Sequence, residues 1–453
     1  MERRLSVLAA AAFIVAAVLG SAWITGQFTT PQVDRTDGYV SELAARDQPW
    51  TRLFRVSEAL SGLACALGVA LVPRVAREWP GWLALAAFGL LTFVAGLFPL
   101  DCAALSDPAC AQRAASFGHR IHTLAGALAT AAVLIAMALL GGQWRSRVSW
   151  LFTWMSLIAT LLTLAALVAG HGVGLAHRAQ LTMFAVWLVY VAMRLLIDDD
   201  QEERAAAYGR PHVLEQGSGP AVLITAGPAG AWFHWDAVAG ELTGRHRVIR
   251  FDRPGLGLSP RPPAPPTLYA EAARLAALSP AHPEQVTVVA HGVACWHAEA
   301  FARLHPLCLA GLVLVDPARV DERRPLAAAE AAGRWLPALG GTWGATAVAR
   351  VAGPAAHRLL AGHPDPSGVY RMGKVPAAVA GEWLARRHMA ADLRRLRAEK
   401  PFPAVPVTVI ATDGRDCRER LAGDLCAELV RLTRTGRGIP LLDPRAVAQA
   451  VSP

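Results

Sequence analysis

Long apolar stretches alternate with short polar segments over the first two hundred residues. Six stretches approach the ~20 residues that a helix needs to cross about 30 Å of hydrocarbon. They are Val7–Gly26, Val56–Val72, Gly81–Leu100, Ile121–Trp144, Val148–Gly170 and Ala179–Ile197. Arg3 and Arg4 precede the first stretch as in a signal peptide, but no small-x-small cleavage context follows. The pattern predicts an all-α six-helix transmembrane domain at residues 1–197 with an uncleaved first helix.

The pattern changes after an acidic linker at residues 198–210, which begins DDDQEER. Short apolar runs then alternate with helical stretches, which predicts an α/β domain with a mostly parallel sheet at residues 211–453. The predicted strands are His212–Gln216, Ala221–Thr225, Arg247–Phe251, Gln285–Ala290, Gly311–Val315 and Val405–Thr412, and the predicted helices are Thr267–Leu278, Ala294–Leu304, Arg418–Leu432 and Pro444–Val451. An Ala/Arg/Leu-rich block at about 322–400 predicts a helical cap insertion.

Composition supports a membrane protein. The 453 residues are 54% hydrophobic and 17% charged, too apolar for an ordinary soluble enzyme of this length and incompatible with disorder. The net charge of +9 comes almost entirely from Arg, with only two Lys, and no Lys/Arg run is interleaved with aromatic residues. We therefore expect membrane lipids and no nucleic acid as partners. The preference for Arg suggests a GC-rich bacterial coding sequence.

The distribution of Arg predicts the orientation. With a cytoplasmic N-terminus, the inner segments 1–6, 73–80 and 143–147 hold six Arg in nineteen residues, and the outer segments 27–55, 101–120 and 171–178 hold seven in fifty-seven. Arg-rich short loops stay on the cytoplasmic side. Both termini are therefore expected in the cytoplasm, most simply of a bacterial cytoplasmic membrane.

The seven cysteines contain no C-x-x-C pair, so neither zinc nor a redox pair is indicated. Cys102 and Cys110 flank a seven-residue outer loop, where a disulfide can persist, but their proximity in sequence permits this bond without requiring it. The cysteines of the second domain would be cytoplasmic and reduced.

The N-terminal half resembles the membrane family known as domain of unknown function 998. The resemblance rests on YVSELAA at Tyr39–Ala45, FPLD at Phe98–Asp101, the start of the fourth helix at His122 and AHRAQ at Ala176–Gln180. It implies a membrane domain and no particular activity.

Polar residues in the outer half of this domain form a candidate membrane site. They are Asp101, His119, His122, His171 and His177, with Glu42 nearby, and Glu58 belongs to the same category inside the second span. A metal-dependent hydrolase would need three or four converging ligands. Interfacial histidines commonly hydrogen-bond water or headgroups, so we assign no metal and expect no cofactor, while intramembrane polar groups remain functional candidates.

The C-terminal half resembles the α/β-hydrolase superfamily. The landmarks occur in the family's order: LITAGPAGAWFHW at Leu223–Trp235, FDRPGLGLS at Phe251–Ser259, VVAHGVAC at Val288–Cys295, LVLVDPA, VPVTVIATDGRD and GRGIPLLDP at Gly436–Pro444. The resemblance implies a nucleophile on a strand-to-helix turn, a carboxylate after a later strand and a histidine near the C-terminus.

The catalytic positions implied by this resemblance are degenerate. Gly292 stands where the nucleophile should be, and Arg437, which stays protonated, stands at the histidine position. Asp416 or Asp413 fits the acid position. Cys295 is an alternative nucleophile, although its place in the first turn of the helix should point its sulfur away from the apex. Two of three triad functions are absent.

The backbone amides of an oxyanion hole survive changes of side chain, so Gly227 and Val293 are the candidate ligand-binding residues. We therefore predict a cytoplasmic pseudo-hydrolase that binds or senses a small acyl or lipid-like ligand or a protein partner of unknown identity. The alternatives are an active membrane-associated esterase or lipase with a non-standard nucleophile and a metal-dependent activity in the membrane half.

Overall fold

The computed structural model describes residues 2–73, 78–111, 114–197, 210–320, 323, 326–362, 364–412, 416–432 and 443–451. The chain divides into two compact units. The first comprises Met1–Glu202 with Thr342–Gly344, and the second comprises Glu203–Gly341 with Ala345–Pro453. We refer to them as the membrane unit and the hydrolase-like unit.

The membrane unit is helical. Its helices are α1 (Glu2–Gly20), α2 (Trp23–Thr29), α3 (Thr51–Leu71), α4 (Trp79–Leu97), α5 (Pro108–Ala111), α6 (Phe117–Trp144), α7 (Arg147–Ala169) and α8 (Val173–Ile197), with a 3-10 turn at Val40–Ala44. Among the described residues, six helical segments are long and apolar enough to cross a membrane. The prediction of six spans is confirmed.

Small residues let α3 and α4 approach closely. A side-chain carbon on Gly62 would lie 2.4 Å from the carbonyl oxygen of Gly89, and one on Gly96 would lie 2.5 Å from the backbone nitrogen of Ala59. Helices in lipid associate largely through such backbone contact, because lipid tails are as apolar as the side chains. The glycines in these two apolar segments therefore hold the hairpin together.

The hydrolase-like unit is built on one sheet. Its strands are β1 (Val213–Gln216), β2 (Ala221–Thr225), β3 (Arg247–Phe251), β4 (Val286–His291), β5 (Leu309–Val315), β6 (Val407–Thr412) and β7 (Glu428–Leu432). Among the described residues their order is β1-β3-β2-β4-β5-β6-β7, and only β1 is antiparallel to its neighbour. Strands β2, β4 and β5 are largely apolar and buried on both faces because helices cover both sides, whereas β3 carries Arg247 and Arg250. Six strands match the predicted ones within two residues.

Helices surround this sheet and form the cap. They are α9 (Asp236–Leu242), α10 (Leu268–Leu278), α11 (Ala294–Leu304), α12 (Ala327–Gly333), α13 (Leu336–Leu339), α14 (Trp343–Ala361), α15 (Lys374–Glu399), α16 (Asp416–Asp424) and α17 (Pro444–Val451). Helices α12 to α15 lie between β5 and β6 in the chain, where the helical insertion was predicted. The fold class, a membrane helical domain followed by a mostly parallel α/β-hydrolase-like domain, is confirmed.

The predicted helix over Arg418–Leu432 is wrong. Helix α16 ends at Asp424, and Cys426 adopts a left-handed φ of 51° that turns the chain out of the helix. Strand β7 follows and pairs in parallel with β6, from Thr408 opposite Glu428 to Thr412 opposite Leu432. Strand β6 at the edge of the sheet supplies the hydrogen-bond partners of β7. The apolar pattern of residues 428–432 alone does not show that such a partner strand is available.

Candidate functional site

The site is centred on the sharp turn between β4 and α11. Gly292 forms its apex with a left-handed φ of 61°, its N–H donates to the carbonyl of Val315 at 2.9 Å, and its carbonyl accepts from the N–H of Ala318 at 3.1 Å. A nucleophile elbow uses the same strained turn to expose its side chain. The elbow backbone is therefore present without a nucleophile, as the sequence indicated for this position.

Pro228 occupies the space in front of the apex. A side-chain carbon built on Gly292 would lie 2.8 Å from Cδ of Pro228 and 3.9 Å from Cα of Gly227. Carbon atoms in van der Waals contact are about 3.5–4.0 Å apart, so no side chain fits at this position without movement of the turn after β2. The elbow has lost both the nucleophile and the space for one.

His291, at the end of β4, packs against Gly227. A side-chain carbon on Gly227 would lie 2.2 Å from Nδ1 of His291, so glycine is required at the turn after β2. Burial, reinforced by the nearby charge of Arg253, lowers the pKa of His291 to about 4. The imidazole is neutral at physiological pH and has Trp235 edge-on to it.

Two backbone amides are the candidate donors of an oxyanion hole. Within the described part of the chain, the N–H groups of Gly227 and Val293 donate no hydrogen bond to another group of the protein. Val293 is the N-cap of α11, where the helix dipole favours negative charge. Pro228, which follows Gly227 in the chain, has no N–H and cannot donate a hydrogen bond. The site keeps two donors for an oxygen atom and lacks the attacking group.

A buried ion pair attaches cap helix α15 to this turn. Nε and Nη2 of Arg253 donate to the carboxylate of Glu382 at 2.8 and 3.0 Å, and the two side chains are only 2% and 11% exposed. The same guanidinium donates to the carbonyls of Ala226 and Gly227. The pair therefore fixes the cap against the residues that would form the floor of a substrate cleft.

Cys295 points away from the apex. Its thiol donates to the carbonyl of Ala290 at 3.3 Å and lies 3.6 Å from the carbonyl of Val315, with 3% of the residue exposed. A nucleophilic cysteine needs access to substrate and a nearby base or cation. The geometry offers no support for Cys295 as a replacement nucleophile.

The remaining triad positions fall at or beyond the edge of what the structure describes. Asp413 and Arg437 lie outside the described residues, and Asp416 begins helix α16. The predicted acid and base positions are therefore assigned by sequence alone.

The predicted polar set of the membrane unit separates into two groups. His119, His122 and His177 line a common cavity together with Glu42 and Glu58. Asp101 lies outside the cavity wall but contacts His119, whose Nδ1 accepts from the N–H of Asp101 at 3.4 Å and lies 3.9 Å from its carboxylate. The carboxylate also accepts from the N–H and hydroxyl of Ser116, bonds that hold its pKa below the usual range, and His171 lies exposed in a loop. Among the described residues, no group of three His, Cys, Asp or Glu could hold a metal ion.

A disulfide joins Cys102 and Cys110, with their Cα atoms 5.9 Å apart. Glu42 closes the same loop, since its carboxylate accepts from the N–H of Leu105 at 2.6 Å and from the hydroxyl of Ser106. Burial nevertheless raises the pKa of Glu42. The loop after α4 is therefore tied both covalently and by hydrogen bonds.

The sequence pointed to Gly292, Gly227 and Val293, but it did not single out Pro228, His291 or Glu382. Pro228 lies within LITAGPAGAWFHW, and Arg253 lies within FDRPGLGLS. A proline immediately after the glycine of an oxyanion turn was the available signal, because it removes an N–H at that place.

The family of the chain follows from this architecture. The model of the alpha/beta hydrolase family matches residues 221–450, about half of the chain. The protein belongs to that family. Residues 7–194 match a second model, described as a protein of unknown function, DUF998, which confirms the resemblance of the N-terminal half.

The chain is also similar to several solved structures. Cfl2 from Burkholderia cenocepacia is 23% identical, with 54% of this chain and 91% of that chain covered and a TM-score of 0.42. An alpha/beta hydrolase fold protein from Burkholderia ambifaria is 21% identical, with 54% and 94% covered and a TM-score of 0.42. The haloalkane dehalogenase DbeA from Bradyrhizobium elkani is 17% identical, with 55% and 94% covered and a TM-score of 0.41. No curated protein matches the chain.

Proposed function

We propose that this integral membrane protein uses its hydrolase-like unit to bind a small acyl or lipid-like ligand without hydrolysing it. The observation that carries the proposal is the relationship of Gly292 to Pro228. The apex has no hydroxyl or thiol. Cδ of Pro228 lies only 2.8 Å from the position that the Cβ atom of a side chain at the apex would take.

Acyl transfer by this family needs a nucleophile and a base that removes its proton. Neither His291 nor Cys295 supplies these functions, because His291 precedes the apex and packs on Gly227, while the thiol of Cys295 faces backbone carbonyls. The loss of two functions makes restoration by one substitution improbable on chemical grounds.

Binding requires less than catalysis. The amides of Gly227 and Val293 can donate to a carbonyl, carboxylate or phosphate oxygen, and such donors remain when side chains change. The buried Arg253–Glu382 pair keeps the cap attached beside these amides, since Arg253 also donates to the carbonyls of Ala226 and Gly227. These features support a site that holds an acyl oxygen.

We further infer that the hydrolase-like unit lies in the cytoplasm of a bacterium. The support is the excess of Arg in the inner segments together with an even number of candidate spans. The Cys102–Cys110 disulfide falls on the side assigned as outer, where disulfides persist.

The test compares three probes on the full-length protein in lipid nanodiscs: ethyl octanoate, octanoate and decane. Hydrogen exchange of the peptides that contain Gly227 and Val293 should slow with the ester and the acid, and not with decane, which has no oxygen to bind. We expect Val293→Pro to weaken this protection about tenfold or more, because the backbone N–H of residue 293, one of the two hydrogen-bond donors, is lost.

Val293→Ala is the matched control, since it shortens the side chain and keeps the N–H. The φ of Val293, −67°, lies in the range that a proline ring adopts. Equal losses in the two variants, or no protection by either oxygen-bearing probe, would contradict binding at these amides.

A further inference from the structure

A large cavity lies inside the membrane unit. Its volume is about 750 Å³, and all six candidate spans contribute to its wall. This is the size of a site for a small molecule or a lipid chain. Most of the wall is apolar, formed by residues such as Phe88, Leu134 and Phe184. An apolar cavity of this size selects a lipophilic occupant.

Glu58 is an ionisable side chain in the wall of this cavity. Among the described residues, no group donates a hydrogen bond to the carboxyl of Glu58, although His122 and Arg55 lie within range of its charge. The guanidinium of Arg55 donates to the carbonyls of Gly96 and Leu97 instead. An ionisable group inside a membrane segment is costly and is therefore a candidate for ligand recognition.

His122 presents an acceptor to the same space. Its Nδ1 lies 2.9 Å from the carbonyl oxygen of Ala95 and 3.0 Å from that of Phe98. Carbonyls only accept hydrogen bonds, so Nδ1 carries a proton, and in this tautomer Nε2 has a lone pair. Glu58 and His122 therefore form an acceptor-rich end of the cavity.

Two serine hydroxyls beside Glu58 strengthen this bias. The hydroxyls of Ser57 and Ser61, which flank Glu58, donate to the carbonyls of Leu19 and Ala16 and keep only lone pairs for a ligand. Among the described residues that line the cavity, the acids are Glu42 and Glu58, and none is Lys or Arg. An anionic lipid or fatty acid would therefore meet two carboxylates and no cationic side chain in the described wall, since Arg55 lies outside the wall and donates to backbone carbonyls.

We propose that the membrane unit binds a lipophilic amine, with the alkyl chain in the apolar cavity and the ammonium group at Glu58 and His122. An ammonium has three donors and a positive charge, which match a carboxylate and an imidazole lone pair. Charge complementarity thus selects the amine over an acid or an alcohol of the same length. The proposal is independent of the hydrolase-like unit.

The test uses photoreactive 12-carbon diazirine probes that differ only in the head group, an amine, an alcohol or a carboxylate. Full-length protein in phosphatidylcholine nanodiscs is irradiated with each probe, and the labelled peptides are identified by mass spectrometry. We expect the amine to label peptides of α3 and α6 most strongly, and excess unlabelled dodecylamine to abolish that labelling.

Two variants separate recognition from folding. Glu58→Gln should reduce amine labelling at least about tenfold while labelling by the alcohol stays within twofold, because only a charge-assisted bond is lost. Gly126→Leu should reduce labelling by all three probes, since nothing lies within 4 Å of the added Cβ and the side chain extends into the cavity. Asp107→Asn, in an exposed loop outside the cavity, should change nothing.

Stronger labelling by the carboxylate than by the amine would overturn the proposal. Unchanged amine labelling in Glu58→Gln would overturn the role of Glu58, and unchanged labelling in Gly126→Leu would overturn the cavity as the site. If Glu58→Gln fails to fold, the comparison of the three head groups on the unmodified protein decides the matter alone.

Discussion

Cδ of Pro228 lies 2.8 Å from the point that a side-chain carbon on Gly292 would occupy. The two residues are 64 positions apart in the chain, yet together they define the state of the elbow. Glycine at the apex relieves the strain of a left-handed turn, and the proline ring takes up the space that glycine leaves. The proline ring fits here only because residue 292 has no side chain. A nucleophilic side chain at residue 292 would overlap with the ring.

Gly292→Ser should therefore destabilise the hydrolase-like unit by about 1–3 kcal/mol through overpacking, with a smaller contribution from the positive φ. Gly240→Ser, in helix α9 where nothing lies within 4 Å of the added Cβ, is the control and should change stability little. Unfolding of the full-length protein, followed by hydrogen exchange of peptides from the sheet, measures both. A Gly292→Ser protein as stable as the Gly240→Ser protein would show that the turn has room for a side chain.

The buried pair of Arg253 and Glu382 should respond strongly to the loss of one partner. Glu382→Ala leaves a buried guanidinium without its counter-charge, and removal of one member of such a pair costs about 3–5 kcal/mol. Glu399→Ala, at the exposed end of the same helix, should have little effect. Proteolysis of the cap under native conditions is the measurement, and equal cleavage rates in the two variants would mean that the pair does not hold the cap.

Acid should weaken the hydrolase-like unit through His291. Because the folded-state pKa of about 4 is below the unfolded value of about 6.5, the unfolded chain takes up the proton first as the pH falls. Stability is fully present above pH ~6.5 and declines towards pH ~4, by roughly 2–3 kcal/mol for this residue. His297 has a pKa lowered by burial and adds to the same trend.

His291→Gln should flatten part of this pH dependence, because glutamine does not titrate. His171→Gln, at an exposed position in the membrane unit, should leave it intact. The measurement is the free energy of unfolding of the hydrolase-like unit between pH 4.5 and 7.5. A slope that is the same in both variants would exclude His291 as its source.

The inferred orientation predicts which cysteines react from outside the cell. Cys426 is free and exposed, so a membrane-impermeant maleimide should label it only after the cells are permeabilised. A cysteine placed at Asp107 should be labelled in intact cells, since that residue lies in the loop of the disulfide. Peptide mass spectrometry separates the two sites. Labelling of Cys426 in intact cells would invert the orientation.

The sequence predicted those parts of the fold that depend on local patterns. In the part of the chain that the structure describes, apolar windows located the six candidate membrane helices, and alternation of strands and helices located six of the seven strands. Strand β7 was missed because its identity depends on pairing with β6, which comes earlier in the chain. The left-handed conformation at Cys426 was not predicted either, because the residue there is not glycine.

For the candidate site, the sequence predicted which catalytic groups are missing and did not predict which side chains lie in contact. A sequence shows at once that Gly292 has no hydroxyl, but not that Pro228 fills the space beside it. Arg253 and Glu382 lie 129 positions apart, and Glu58 and His122 belong to different helices. Contacts between such distant positions follow from tertiary packing, which composition and periodicity do not encode.

Turnover by the purified full-length protein distinguishes a ligand-binding unit from an active hydrolase. The protein, reconstituted in nanodiscs, is assayed with a series of p-nitrophenyl acyl esters and with a fluorophosphonate probe that labels active serines. We expect neither ester cleavage nor labelling, in the unmodified protein and in Gly292→Ser alike. Ester cleavage that follows the protein through purification would contradict this expectation, and loss of that cleavage in Cys295→Ala or Asp416→Ala would identify the group responsible.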